Sequence, residues 1–272
     1  MNSEKIIKNP DITEVLNIAI LAGNKILEIY DEGNLKFQNK RDNSPVTFAD
    51  KLSQQLIIGE LNRISPDIPV ISEEMDFIPF EQRKEWRYFW LVDPLDGTKE
   101  FIQKNGEFTV NIALICQDYP VLGVIFAPAL NLIYFAEKGK GAFKKDGQGN
   151  IISIHTASGS VDRYTLLRSR SHSCRQEDEF ISYLGNVEEI HAGSSLKFCY
   201  LAEGKAQIYL RTGPTMEWDT AAGQCIVECA GGKVLNFEDS VMRYNKYSLR
   251  NSGFICASDD TIILKKIREY FS

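Results

Sequence analysis

The segment from Trp90 to Phe101 constrains the chain most, because an apolar run there ends in a turn that contains two aspartates. Asp93 and Asp96 flank a proline, which fixes its own φ and pushes the preceding residue into an extended conformation. Gly97 lets the backbone approach a ligand closely, and Thr98 is predicted to cap a short helix. Carboxylates beside the free N–H groups of a helix start suit a divalent cation together with a phosphate. A plain surface turn is the alternative, because Asp, Pro and Gly are common turn residues.

The length and charge of the chain narrow the classes of function. Its 272 residues suffice for one large domain or two joined lobes, and 43% apolar and 25% charged residues are ordinary for a globular protein. The 31 basic and 37 acidic residues give a net charge of −6, which argues against binding a nucleic acid polymer, because such binding requires a basic face. A small phosphorylated substrate stays compatible, since bound metal ions can reverse the local charge.

Location is predicted to be cytoplasmic. The first residues lack the apolar core of a signal peptide, and no run approaches the length of a transmembrane segment. The six cysteines are scattered without a C-x-x-C pair, so we interpret them as reduced thiols. Peripheral attachment to the cytoplasmic face of the inner membrane stays open, as does the choice between a monomer and a homodimer.

Two sequence patterns predict the organisation of the first half. Apolar residues recur at helical spacing after Asp11, and a second helix is predicted after Thr47. The apolar stripe of this second helix is predicted to contain Leu52, Leu56, Ile57 and Leu61. Alternating segments at 108–116, 121–127 and 132–136 then predict an antiparallel meander.

The second half is predicted to form an α/β lobe, because strands alternate with helices there. The predicted strands are 164–169, 187–190 and 206–211, and the predicted helices include 175–184 and a segment from Asp219 to Ala230. Small polar residues at 154–163 indicate the boundary between lobes. We therefore predict an N-terminal α+β lobe of residues 1–158 that holds most metal ligands, and a C-terminal α/β lobe of residues 159–272 that completes the site.

Three further carboxylates stand at predicted strand ends or helix starts. Thr47 and Asp50 fit a capping box, so helix capping alone accounts for Asp50. Glu73 follows a short strand and precedes Asp93 by 20 residues, enough for a loop that returns beside that strand. Asp219 stands where the N-cap of an apolar helix is expected. If these residues converge on the central turn, their repulsion would be severe unless two or more Mg²⁺ ions compensated it.

Three motifs resemble the signatures of the inositol monophosphatase superfamily: Ser72–Glu74, Trp90–Thr98 and Trp218–Gly223. The resemblance covers nearly the whole chain and implies a layered α-β-α-β-α sandwich, the sugar phosphatase fold. Within the superfamily, the chain is most similar to the bacterial CysQ-type 3′(2′),5′-bisphosphate nucleotidases. Four segments carry this similarity, namely residues 42–50, 99–101, 169–172 and 193–199.

This resemblance implies a set of metal ligands. Glu73, Asp93 and the Leu95 carbonyl would hold a first Mg²⁺, and Asp93, Asp96 and Asp219 would hold a second. A third, weaker ion is implied near Glu73. The implied cofactor is therefore two or three Mg²⁺ ions per active site.

The resemblance also implies the catalytic and substrate-binding residues. Thr98, hydrogen-bonded to Asp50, would orient and deprotonate a metal-bound water. The residues implied to contact the substrate are Glu73, Leu95, Asp96, Gly97, Thr98, His172, Ser194, Lys197, Arg211 and Asp219. Of these, only Lys197 and Arg211 supply the fixed positive charge that a second phosphate requires. For His172, Ser194, Lys197 and Arg211, a structural or solvated role is the alternative.

The implied reaction converts adenosine 3′,5′-bisphosphate and water to AMP and phosphate, with inhibition by Li⁺. The runner-up is an inositol monophosphatase or a related sugar phosphatase. A non-catalytic nucleotide or metal sensor is a third possibility, which the Asp50–Thr98 pair argues against, because a binder needs no water-activating pair.

Overall fold

The computed structural model describes residues 10–32, 37–39, 45–159, 162–170, 175–259 and 261–271. The described helices are α1 (Ile12–Glu32), α2 (Phe48–Ile64), α3 (Phe80–Arg83), α4 (Thr98–Ile102), α5 (Arg175–Leu184), α6 (Leu196–Ala202), α7 (Glu217–Cys229) and α8 (Thr261–Phe271). The strands of the first half are β1 (Phe37–Asn39), β2 (Pro45–Thr47), β3 (Val70–Ser72), β4 (Tyr88–Asp96), β5 (Thr109–Cys116), β6 (Tyr119–Ala127), β7 (Leu132–Glu137), β8 (Gly141–Lys145) and β9 (Ile151–Ile154). Those of the second half are β10 (Tyr164–Ser169), β11 (Val187–Ala192), β12 (Ile208–Arg211), β13 (Thr215–Met216), β14 (Lys233–Leu235), β15 (Arg250–Asn251) and β16 (Phe254–Ala257).

A seven-stranded sheet of β3 to β9, in sequential order, forms the first β layer. β3 and β4 are parallel and the remaining pairs are antiparallel, which confirms the predicted meander. Helices α1 and α2 cover one face, where residues such as Ile26, Ile57 and Trp90 share one apolar cluster. The helix predicted after Asp11 is confirmed, and its apolar side packs on this sheet.

Helices α6 and α7 form the middle layer, between the first sheet and a second sheet of order β11-β10-β12-β16-β14. Small residues bring α7 very close to its neighbours. A Cβ on Gly123 of β6 would lie 2.6 Å from the Ala222 carbonyl oxygen, and a Cβ on Gly223 would lie 2.4 Å from the Phe198 ring. The small residues after Asp219 therefore serve helix packing.

Helices α5 and α8 cover the outer face of the second sheet, where Phe180, Ile263 and Ile267 are buried. The order of layers is thus helix, sheet, helix, sheet, helix, and the predicted sandwich is confirmed. The first sheet lies within residues 70–154 and the second within 164–257. The lobe boundary at 158/159 falls between them and stays a prediction. Within the described ranges, none of the helices combines the length and apolar character that a membrane crossing requires.

Two local predictions were wrong. Gly97, at a φ of 88°, precedes α4, so Thr98 is the first helical residue and not the cap. In α2, Leu52 and Leu56 are partly exposed, whereas Ala49, Ser53, Ile57 and Leu61 are buried. This second set faces the sheet, because Ala49, Ile57 and Leu61 join its apolar cluster and Ser53 donates a hydrogen bond to the Pro94 carbonyl at 2.7 Å.

Candidate active site

The ends of β3 and β4 bring the first two carboxylates together. The strands are parallel, with Ser72 opposite Val92, so both end at the same edge of the sheet. The Glu73 N–H donates to the Val92 carbonyl at 3.2 Å, which holds Glu73 beside Asp93. The loop between the strands therefore returns as the sequence predicted.

The turn after Asp93 departs from the strand ladder. The pairing register with β5 shifts between Asp93 and Asp96, because Pro94 has no N–H with which to continue the ladder. The Asp93 carboxylate instead accepts the Leu95 N–H at 3.1 Å. The left-handed conformation of Gly97 then leads the chain into α4.

Asp219 approaches from the first turn of α7, but not as its N-cap. The helix begins at Glu217, so Asp219 is its third residue and accepts the Met216 N–H at 2.7 Å. Glu217 is fully buried and accepts the backbone N–H groups of Asn245 and Lys246 at 2.8 and 3.0 Å. These bonds fix the helix start so that Met216 is the N-cap, three residues before the predicted N-cap.

One cleft of about 560 Å³ collects most of the predicted site residues. Those that line it are Glu73, Asp93, Leu95, Asp96, Gly97, Thr98, Ser194, Lys197, Arg211 and Asp219. Asp50 contacts the cleft through Thr98, and His172 lies outside the described residues.

The carboxylates of the cleft repel one another. Burial raises the pKa of Asp93 well above its usual range, and the charges of Glu73, Asp96, Asp219 and Asp50 raise it further. The pKa of Asp219 is likewise raised well above its usual range, by burial first and then by Asp96 and Glu73. Buried acidic groups with this mutual repulsion fit a binding site for divalent cations, which would compensate their charge.

In this arrangement the carboxylates are held by protein donors. Asp96 Oδ2 accepts the hydroxyls of Ser194 and Ser195 at 2.7 and 2.8 Å, and Asp219 is bonded to the Met216 N–H. Within the part of the chain that is described, no three His, Cys, Asp or Glu side chains stand together as a ready-made metal site. The role of these carboxylates as cation ligands therefore stays a prediction.

The Asp50 side chain connects helix α2 to the cleft. Its Oδ2 accepts the Thr47 N–H and hydroxyl at 2.7 and 2.6 Å, which confirms the predicted capping box. Its Oδ1 accepts the Thr98 hydroxyl at 3.3 Å. Capping and the contact to Thr98 thus use different oxygens, so the two roles are compatible.

Three basic residues line the same cleft, namely Lys99, Lys197 and Arg211, and the last two are the ones predicted to bind the substrate. Lys197 is 3% exposed and donates to the Ala192 and Ser194 carbonyls at 3.1 and 2.7 Å. Burial lowers its pKa to about 8, although the charge of Asp96 opposes this shift. Among the described residues, the buried Nε of Arg211 has no hydrogen-bond partner. An unpaired guanidinium N–H in a cleft fits an anionic ligand group.

The sequence did not indicate the groups that support the cleft. Glu107 pairs with Arg170 through two bonds of 2.7 Å and accepts the Gly193 N–H at 2.8 Å, which holds the segment that leads to Ser194. Ser195 is held by Asn111 of β5. A polar residue inside an otherwise apolar strand was the available signal for Asn111.

Comparisons with known proteins agree with this geometry. A family model described as the inositol monophosphatase family matches residues 9–271. A 3′(2′),5′-bisphosphate nucleotidase CysQ from Salmonella typhimurium is 44% identical over 245 residues, which cover 89% of this chain and 98% of that protein. The crystal structure of CysQ from Bacteroides thetaiotaomicron is 40% identical, with a TM-score of 0.82, covering 91% of this chain and 97% of that one. An IMPase from Thermotoga maritima shares the fold at 24% identity and a TM-score of 0.79, covering 96% of each chain.

Proposed function

Because the chain belongs to the inositol monophosphatase family, we propose that it is a Mg²⁺-dependent 3′(2′),5′-bisphosphate nucleotidase. Its reaction is the hydrolysis of adenosine 3′,5′-bisphosphate to AMP and phosphate. The observation that supports this choice is one cleft that holds both a set of repelling carboxylates and the basic side chains of Lys197 and Arg211. A substrate with two phosphates fits such a cleft better than a monophosphate.

Asp93, Asp96, Glu73, Asp219 and the Leu95 carbonyl supply the hard oxygen ligands that Mg²⁺ prefers. When bound, the ions supply Lewis-acid chemistry, which makes water more acidic and stabilises charge on the phosphate and on the leaving oxygen. We assign Glu73, Asp93 and Leu95 to one ion, and Asp93, Asp96 and Asp219 to another.

Thr98 and Asp50 move the proton of the attacking water. The Thr98 hydroxyl donates to Asp50, so the lone pairs of Thr98 Oγ1 can accept a proton from water in the cleft. The buried Asp50 carboxylate accepts the Thr98 proton in turn. The N–H groups of Gly97 and Thr98 hold the reacting phosphate.

Arg211 and Lys197 bind the second phosphate. The unpartnered Nε of Arg211 and the buried Nζ of Lys197 both lie in the cleft and provide positive charge for this phosphate. Ser194 lines the cleft and contacts the ribose. We also assign a contact with the nucleotide to His172.

A phosphate-release panel tests the proposal. Adenosine 3′,5′-bisphosphate, inositol 1-phosphate and AMP are compared with and without Mg²⁺, and again with Li⁺. We expect Mg²⁺-dependent, Li⁺-sensitive release from the bisphosphate far above the other two. Faster turnover of inositol 1-phosphate would reject the nucleotidase in favour of an inositol monophosphatase. Binding of the bisphosphate without release would indicate a sensor.

A further inference from the structure

Buried polar side chains on strand β5 underlie the carboxylate Asp96. Thr109 and Asn111 are 0% and 1% exposed, in a strand whose other residues are mostly apolar. Both point to the same side of the strand, because they are two residues apart. They contact the Ser194–Ser195 pair, whose hydroxyls both reach Asp96.

The Asn111 amide determines the direction of the hydrogen bond between Ser195 and Asp96. Its Nδ2 donates to Ser195 Oγ at 2.8 Å, and Ser195 Oγ lies 2.8 Å from Asp96 Oδ2. Because Ser195 accepts from Asn111, its single hydroxyl proton is left to donate. The charged Asp96 Oδ2 is a nearer acceptor than the Asp219 carbonyl, which lies 3.2 Å from Ser195 Oγ.

The Thr109 hydroxyl completes the arrangement. Thr109 Oγ1 donates to Asn111 Oδ1 at 3.0 Å, so at its 2.5 Å contact with Ser194 Oγ it acts as acceptor. The one proton of Ser194 is then shared between Thr109 and Asp96 Oδ2, which lies 2.7 Å away. Ser195 is therefore the serine that donates its proton to Asp96 without sharing it with Thr109. Asn111 orients the Ser195 hydroxyl for this bond.

Both serines bond the same oxygen of Asp96. Oδ2 is the acceptor in each contact, so neither serine engages Oδ1 of this carboxylate, which lines the cleft. A carboxylate held through one oxygen presents the other at a fixed angle to a cation. The buried network thus fixes the orientation of Asp96, although Asn111 itself does not line the cleft.

We propose that Asn111 is a positioning residue for Asp96 as a Mg²⁺ ligand: its amide orients Ser195, and Ser195 fixes the carboxylate. This inference rests on the proposed function, because it requires that Asp96 bind Mg²⁺. A purely structural role, in which the network only satisfies buried polar groups, predicts a loss of stability with unchanged Mg²⁺ affinity.

Mg²⁺ binding by calorimetry, without substrate, distinguishes the two roles. We expect Asn111→Leu to weaken Mg²⁺ binding by about 10- to 100-fold, the usual effect of losing a group that orients a metal ligand. Ser65→Ala is the matched control, because Ser65 is a buried serine that bonds Trp90 and the Leu61 carbonyl away from the cleft. The control should lose stability and bind Mg²⁺ as the wild type does.

A double-mutant cycle with Ser195→Ala supplies the second readout. If Asn111 acts through Ser195, the double variant should bind Mg²⁺ no more weakly than Ser195→Ala alone. Affinity of Asn111→Leu equal to that of the Ser65 control, or additive losses in the cycle, would overturn the proposal. Should the leucine variant fail to fold, Asn111→Ala serves in the same cycle.

The same Mg²⁺-binding measurements distinguish a failure of the proposed function from a failure of this inference. If the wild type binds no Mg²⁺, or Asp96→Asn binds it unchanged, the ligand set is wrong and both proposals are overturned. If the wild type binds Mg²⁺, Asp96→Asn loses it and Asn111→Leu keeps it, only the role of Asn111 is overturned.

Discussion

The Thr98 hydroxyl lies 3.3 Å from Asp50 Oδ1, while the other oxygen of Asp50 caps helix α2. The cap fixes the carboxylate, and the carboxylate in turn orients a hydroxyl at the edge of the cleft. A proton acceptor is thus built into a rigid helix start.

We predict that Asp50→Asn and Thr98→Val each lower kcat by about 10²- to 10⁴-fold, the usual contribution of a general base. Mg²⁺ affinity should change little, because neither side chain is among the proposed ligands. Thr98→Ser keeps the hydroxyl and is expected to retain most activity. Steady-state kinetics and calorimetry test this, and full activity in Asp50→Asn would remove Asp50 from the mechanism.

Arg211→Gln should raise KM for adenosine 3′,5′-bisphosphate by about 10- to 100-fold, because a charge-assisted bond to phosphate is lost. Arg168→Gln is the matched control: Arg168 is on the neighbouring strand β10 and pairs with Asp178 and Glu189 outside the cleft. An equal KM in the Arg211 and Arg168 variants would contradict binding of the second phosphate by Arg211.

The buried Lys197 predicts a pH-dependent stability. Burial lowers its pKa from 10.5 to about 8, so between these pH values the unfolded chain binds more protons than the folded one. Stability contributed by this group should therefore rise as pH increases through that window, by on the order of 3 kcal/mol.

The difference in free energy of unfolding between wild type and Lys197→Met isolates this effect from other titrating groups. Urea denaturation at several pH values should show the difference shifting in favour of the wild type from about pH 8 to 10.5. A difference independent of pH would show that the folded-state pKa is not lowered.

Arg83 is fully buried and donates to Asn245 and to the carbonyls of Lys246 and Tyr247. We expect Arg83→Met to lower the free energy of unfolding by about 3 kcal/mol, because buried acceptors lose their donor and each such unsatisfied group costs about 1–3 kcal/mol. Arg63→Met, at an exposed pair with Glu60, should cost less than about 1 kcal/mol. Urea denaturation measures both, and similar values would contradict the role of Arg83.

The sequence was most informative where chemistry and backbone signals coincide. Asp93 and Asp96 were found because proline and glycine mark the turn that holds them, and Glu73 because its spacing allowed a parallel return. Asp219 was correctly placed at the start of α7 but at the wrong position, since its cap contact runs to the backbone of Met216. A methionine gives no capping signal in a sequence.

The supporting network could not be predicted because its contacts join distant segments. Asn111 and Ser195 are 84 residues apart, and Arg83 and Asn245 are 162 apart. Local sequence can mark a residue such as Asn111 as unusual, but it does not identify a partner this far along the chain, which only the tertiary fold brings close. The apolar side of α2 was mispredicted for a similar reason, because a buried serine took the place expected for a leucine.

Anomalous diffraction from crystals soaked in Mn²⁺, a substitute for Mg²⁺, tests the central claim most directly. The account predicts at least two peaks in the cleft, each about 2.1 Å from oxygens of Asp93, with Asp96 and Asp219 completing one of them. An absence of peaks, or Asp219 more than about 5 Å from any ion on Asp93 and Asp96, would contradict it.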